Sequence, residues 1–277
     1  MRGQKRYILN LFIIFLSVSL IASCSPKIIP EPHQVLLERG SGSSSALKGP
    51  IHILVWNIAK GKKNRFVDDF KQVSKNKDVV LLQEFHQNDQ IDQALFQNTS
   101  FFYSIATSFI YDKDNSPTGV ATGSTVQPAG SSFQITKHLE PFVKTPKATL
   151  LTEYPLADSQ HKLLVVNIHG MNRAGFEAFE EQLDRIRLKI ENHLGPILFG
   201  GDFNTNSKEK REYLYKLINK IGLSEVVFRP DTRTVSGLSR IPLDYIFTKG
   251  LNVRDARVME ELEGSDHNAL LVVVDLE

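Results

Sequence analysis

The sequence predicts a layered α/β fold, with sheet inside and helices outside. Two observations carry this. Short apolar, β-branched runs recur along the chain, and several are continuously apolar rather than alternating, as in strands covered on both faces. Between some of them apolar residues recur at three- and four-residue intervals, marking one face of a helix.

Strands are expected over 51–56, 79–82, 101–110, 148–152, 163–168, 196–199, 243–248 and 269–274. Phe176, Phe179, Leu183, Ile186 and Ile190 fall on one helical face, and Tyr213, Leu214, Leu217 and Ile221 suggest a second helix. Residues 68–73 and 91–95 carry weaker helical patterns. The folded part is expected to run from Ile51 to the C-terminus as one large domain, 51–277, without internal repeats. With 41% hydrophobic and 23% charged residues, the 277-residue chain is an ordinary globular protein rather than a disordered or collagen-like one. A single cysteine excludes an internal disulfide and a zinc site built on cysteine pairs.

The N-terminus reads as an address. Arg2, Lys5 and Arg6 precede an apolar run from Tyr7 to Ile21, the layout of a secretory signal over 1–23. The run ends in Ile21-Ala22-Ser23-Cys24, which resembles a bacterial lipobox and implies that Cys24 becomes the lipidated first mature residue. The protein is therefore expected to be an extracytoplasmic, membrane-anchored lipoprotein. The run is shorter than the roughly 20 residues that a spanning helix prefers. Residues 24–50, with Pro26, Pro30, Pro32 and a Gly/Ser stretch at 40–45, are expected to form a flexible tether. Without residues 1–23 the charge falls from +2 to −1, because that segment holds three basic residues and no acid. The slightly basic balance is thus no sign of nucleic-acid binding by the folded part.

Polar residues stand at the ends of the apolar runs: Asn57 after the first, Glu84 after the second, Asn167 and His169, Asp202 and Asn204, Asp244, and Asp266-His267 before the last. Loops at strand ends carry function. Four carboxylates at buried strand ends need compensation, and a divalent cation with a histidine supplies it. Oxygen ligands without thiols favour Mg²⁺, Mn²⁺ or Ca²⁺. Taken singly these residues have plainer readings. Asp202 and Asn204 suit a helix N-cap, since a helix begins near Ser207, and Asn167 suits a structural hydrogen bonder outside the chemistry. His52, His86, His138, His161 and His193 have no motif around them and are read as structural.

In order, these pieces resemble the endonuclease/exonuclease/phosphatase superfamily, the deoxyribonuclease-I-like fold, from about Ile51 to Val274. The resemblance implies a four-layer α/β/β/α sandwich of two packed sheets flanked by helices. It implies Asn57, Glu84 and Asp266 as metal ligands, with Mg²⁺ expected and Mn²⁺ or Ca²⁺ as alternatives. It also implies Asp202 positioning and deprotonating the attacking water, Asn204 and His169 at the phosphate, and His267 exchanging a proton while Asp244 holds its other nitrogen. The chain departs from the family after Ser124, where no basic residue follows. Lys60 and Arg173 are candidate phosphate contacts, with plain surface cations as the alternative. The expected activity is that of a metal-dependent nuclease acting on nucleic acid outside the cytoplasm, as a monomer. The alternative is a phospholipase-C-like (sphingomyelinase-type) or lipid- or inositol-phosphate hydrolase, suggested by the anchor. A catalytically silent binding module is the third reading, and the complete set of site residues argues against it.

Overall fold

The computed structural model describes residues 27–97, 100–157, 159–237 and 239–277. Six strands come first: β1 (Lys27–Ile28), β2 (Leu36–Gly40), β3 (Ile51–Asn57), β4 (Val79–His86), β5 (Phe102–Tyr111) and β6 (Ser116–Ser124). Six more follow: β7 (Gly130–Ile135), β8 (Ala148–Pro155), β9 (Lys162–His169), β10 (Ile197–Asp202), β11 (Ser224–Glu225) and β12 (Asp244–Lys249). The last two are β13 (Leu251–Met259) and β14 (Ala269–Leu276). One sheet has the order β1-β5-β6-β4-β3-β14-β13, with β2 also pairing to β5, and the other β11-β12-β10-β9-β8-β7. The helices are α1 (Pro32–Val35), α2 (Phe66–Val73), α3 (Asp89–Ile91), α4 (Phe176–Ile190) and α5 (Lys208–Lys220).

The core explains why the central strands are apolar throughout. On β3, Ile51, Ile53 and Val55 pack between the sheets against Val165, Leu198 and Ile246. The alternating Leu54 and Trp56 pack outward with Phe66 and Phe70 of α2. The second sheet turns Val166, Ile168 and Phe199 outward onto Phe179, Leu183 and Leu217 of α4 and α5. Both sheets are therefore covered on both faces, and the four-layer α/β/β/α sandwich follows. Truncating one such side chain, Leu81→Ala for example, costs about 2–5 kcal/mol. One polar plug interrupts the inter-sheet core. Gln83 Nε2 donates to Asn167 Oδ1 at 2.8 Å, and Asn167 Nδ2 donates to the carbonyls of Leu82 and Ala121. Asn167 is thus a buried structural hydrogen bonder.

The structure corrects the tether. The leader and Cys24 lie outside the described residues, but from Lys27 onward the chain is packed. β1 and β2 pair with β5, Ser44 and Leu47 bridge to Val126 and Leu156, and Val35 and Leu47 are buried. The Pro and Gly/Ser composition suggested looseness, yet the open edge of β5 offers unpaired backbone that these residues cover. β6, β7 and β13 also lie outside the predicted strands. β6 holds Pro117, Gly119 and Gly123, poor strand formers chosen by contact: a Cβ on Gly123 would sit 2.4 Å from the Tyr103 ring. β13 faces solvent along much of its length, so it lacks a clear apolar signature. The weak 91–95 pattern becomes α3 and a π-helical turn at Asp92–Phe96.

Candidate active site

Topology gathers the polar strand ends on one rim. β3 and β4 run parallel, as do β9 and β10, so Asn57, Glu84, His169 and Asp202 stand at like ends. β12 and β14 are antiparallel to their neighbours, which brings the beginning of each, Asp244 and the Asp266-His267 pair, to that same rim. Asp202 is in register with His169 on one side and Asp244 on the other. The two sheets join here, where Asn57 Nδ2 donates to Asp202 Oδ2 at 3.0 Å.

The second sheet's wall is closed and held by hydrogen bonds. Asp202 Oδ1 accepts from the Asn204 N–H at 2.9 Å, and its Oδ2 accepts from Asn204 Nδ2 at 3.1 Å. Asn204 sits at φ 53°, a left-handed position that Asn tolerates. His267 Nδ1 donates to Asp244 Oδ2 at 2.8 Å. The loop carrying His267 is fixed three ways: Ser265 Oγ donates to the Asn57 carbonyl, Trp56 Nε1 donates to the His267 carbonyl, and Asp69 Oδ2 accepts the N–H groups of Glu263 and Gly264 at 2.8 Å each. Only a glycine fits at 264, because a Cβ there would lie 2.7 Å from Phe66 Cα.

Electrostatics divides the labour. Burial, with Asp244 beside it, raises the Asp202 carboxyl above the usual carboxylate range. Burial works against charging His267, but Asp244 outweighs it through charge and hydrogen bond and lifts the imidazole to about 10. Burial and then Lys147 hold His169 well below its ordinary value. His169 is thus neutral, and its Nε2 accepts from Lys147 Nζ at 2.8 Å, whereas Asp202 Oδ2 stands 3.6 Å away.

The first sheet's wall is open and cationic. Glu84 takes φ 53° at a bulge between Gln83 and Phe85. Gln83 points between the sheets; the bulge breaks the alternation and lets the next side chain line the rim. Beside Glu84 lies a cavity of about 220 Å³ bordered by Lys60, Phe109, Tyr111, Lys147 and His169. Lys60 Nζ donates to Tyr111 Oη at 3.2 Å and lies over its ring. Arg173 stays outside, stacked on Phe142 at the mouth, with its backbone N–H held by Glu140. Lys147 was missed by the sequence reading, although it carries the signal used elsewhere: a polar residue directly ahead of an apolar strand.

The donor set suits a hard cation. Asn57 pairs with Gln83, so Glu84 stands one residue beyond it on the neighbouring strand, and Ser265 ties Asp266 to the same place. Asn57 Oδ1 accepts one N–H, from Ala59, and keeps a second lone pair. Asp202, Asp244 and His267 form the one group of three acidic or histidine side chains, among the described residues, whose ligand atoms lie within 4.8 Å. There, one donor atom each of His267 and Asp244 is already taken by the Nδ1–Oδ2 hydrogen bond. Glu84, Asn57 and Asp266 offer oxygen atoms, the donor type that a hard cation takes.

Comparison with known proteins follows the same lines. The sequence profile of the Endonuclease/Exonuclease/phosphatase family matches residues 54–267. A UPF0294 protein of Vibrio vulnificus (strain YJ016) is 33% identical over 238 residues, 85% of this chain and 80% of that protein. The solved structure of an endonuclease/exonuclease/phosphatase family protein from Leptotrichia buccalis superposes with a TM-score of 0.63 at 17% identity, covering 82% of this chain and 100% of its own. D. rerio TDP2, solved with a single-strand DNA product, gives a TM-score of 0.53 at 15% identity, covering 82% and 99%. At such identities the two structures share the fold.

Proposed function

Because this chain belongs to the endonuclease/exonuclease/phosphatase family, we propose that it is a divalent-metal-dependent phosphodiesterase acting outside the cytoplasm. Members of the family are hydrolases of phosphoester bonds and generally use divalent metals. The observation that carries the reading is the lateral row His169, Asp202, Asp244, with His267 locked onto Asp244 at 2.8 Å. A chance scatter of polar residues would not leave one carboxylate poised to take a proton beside an imidazole held ready to give one.

A bound cation would polarise the phosphate and help orient water; Glu84, Asn57 and Asp266 would hold it, with Mg²⁺ first and Mn²⁺ or Ca²⁺ as alternatives. Asp202, its affinity for protons raised toward the working range, takes a proton from water as that oxygen bonds to phosphorus. Asn204 keeps Asp202 aimed, its side-chain amide donating to Asp202 Oδ2 and to the Gly170 carbonyl. The protonated His267 stabilises charge growing on the phosphate oxygens, and Asp244 fixes its tautomer and orientation. The departing oxygen leaves as the P–O bond breaks and takes up the proton that the His267 imidazolium gives. The Lys147 ammonium supplies further positive charge, with His169 as its acceptor.

Two substrate classes follow from this chemistry. The nuclease expectation is supported by the DNA product bound in D. rerio TDP2. It is opposed by the −1 charge of residues 24–277, since phosphate backbones are held by clustered Lys and Arg. A lipid-phosphate substrate is favoured by the small cavity beside Glu84, whose Phe109, Tyr111 and lysines fit one compact phosphate ester. Full-length protein with Mg²⁺ is to be tested on plasmid DNA, phospholipid vesicles and bis(p-nitrophenyl) phosphate. Metal-dependent turnover lost on chelation and in Asp202→Ala supports the reading; turnover indifferent to both defeats it.

A further inference from the structure

Large apolar side chains exposed on a globular protein are usually scattered singly. Here they are not. Of the nine left exposed among the described residues, five lie on two short segments: Ile28 and Ile29, and Leu139, Phe142 and Val143. Phe142 is 76% exposed and Ile29 50%. The segments touch, since Lys27 Nζ donates to the Val143 carbonyl at 3.3 Å. Both reach the cavity beside Glu84, which Lys27 and Val143 border.

Charge agrees. Lys27 and Lys144 belong to these two segments, and their acid, Glu140, is buried and spent on the N–H groups of Asn172 and Arg173. An apolar rim set among lysines fits an anionic lipid surface. The chain ahead of Lys27 points to the same occupant. Cys24 is three residues upstream, at most about 11 Å of extended backbone, and β1 is fixed to β5. An anchor at Cys24 would therefore hold the bilayer at the mouth of the site rather than at the end of a long leash.

We propose that residues 27–29 and the 139–144 loop form a membrane-docking rim that seats the catalytic cavity on a bilayer carrying anionic headgroups, so that the substrate is a phosphate ester of a lipid headgroup. The substrate half rests on the phosphodiesterase reading; the docking half does not. The test uses the full chain in vesicles of phosphatidylethanolamine and phosphatidylglycerol. Tryptophan at Phe142→Trp is expected to shift to the blue and to be quenched by brominated acyl chains. Leu194→Trp, placed on the exposed loop ahead of β10 and so at the strand end opposite the rim, is expected to escape quenching. Equal quenching at both positions, or none at 142, overturns the docking surface. Paired Ile29→Glu and Phe142→Glu is expected to lower turnover of vesicle phospholipid roughly tenfold or more while leaving hydrolysis of soluble bis(p-nitrophenyl) phosphate unchanged. An equal fall on both substrates, or turnover of DNA with none of phospholipid, overturns the lipid substrate. A wild-type protein inert toward all three substrates, with Phe142→Trp still quenched, removes the phosphodiesterase reading and keeps the docking rim.

Discussion

The two walls of the site are built on different principles. On the second sheet, Asp202, Asn204 and Asp244 are buried and bonded to one another or to backbone, with His267 held against them. On the first, Glu84 is half-buried at a left-handed bulge, and it faces a cavity bordered by Phe109, Tyr111 and three lysines, of which Lys147 comes from the second sheet's side. The closed wall spends its hydrogen bonds on fixing orientation, which proton transfer requires. The open wall keeps charge and space available, which a cation and a substrate require. Strain at Glu84, of the order of 1–3 kcal/mol, persists because the sheet around it is held by the inter-sheet core.

Breaking the closed wall is expected to do the most damage. Asp202→Ala removes the proton acceptor and should lower kcat by roughly 10³–10⁴-fold, read on a soluble diester. Asp244→Asn comes next, at roughly 10²–10³-fold near neutrality. In the intact protein His267 keeps its proton up to about pH 10 because Asp244 outweighs burial. Without that charge, burial prevails and the proton is lost at lower pH. The alkaline limb of the pH–rate profile should therefore move to lower pH; an unmoved limb would take His267 out of the mechanism.

The open wall should respond differently. Glu84→Gln is expected to weaken Mg²⁺ by roughly 10–100-fold, measured by calorimetry, while the closed wall's pH profile is retained. Lys147→Met removes the positive charge beside His169 and should lower kcat about tenfold or more. Lys147→Arg restores part of it, a rescue that a purely packing role would not produce. The smallest effect belongs to the scaffold. Asp69→Ala strands the N–H groups of Glu263 and Gly264 and should cost about 2 kcal/mol by denaturant unfolding. Activity per folded molecule should fall only as far as the His267 loop loosens.

Much of this was readable before folding. Asn57, Glu84, His169, Asp202, Asp244 and His267 each stand at the end of a run too apolar to lie outside a core, and the rule that found them also fits Lys147. Other features gave no local signal. Asp69 lies on the exterior-facing helix α2 and looks like any solvated acid until the 263–264 loop settles on it. Residues 27–50 have the composition of a linker, and only the unpaired edge of β5 makes strands of them.

By itself the chain determined its layering and the polar residues at its strand ends, because each rests on neighbours in sequence: periodicity, and a polar residue beside an apolar run. Tertiary structure alone decided which charges meet. The protonated state of His267, the neutral state of His169, the bulge at Glu84 and the apolar rim at Phe142 all arise from groups brought together across two sheets. Electric fields and burial depend on distance through space, and distance along the chain does not report it.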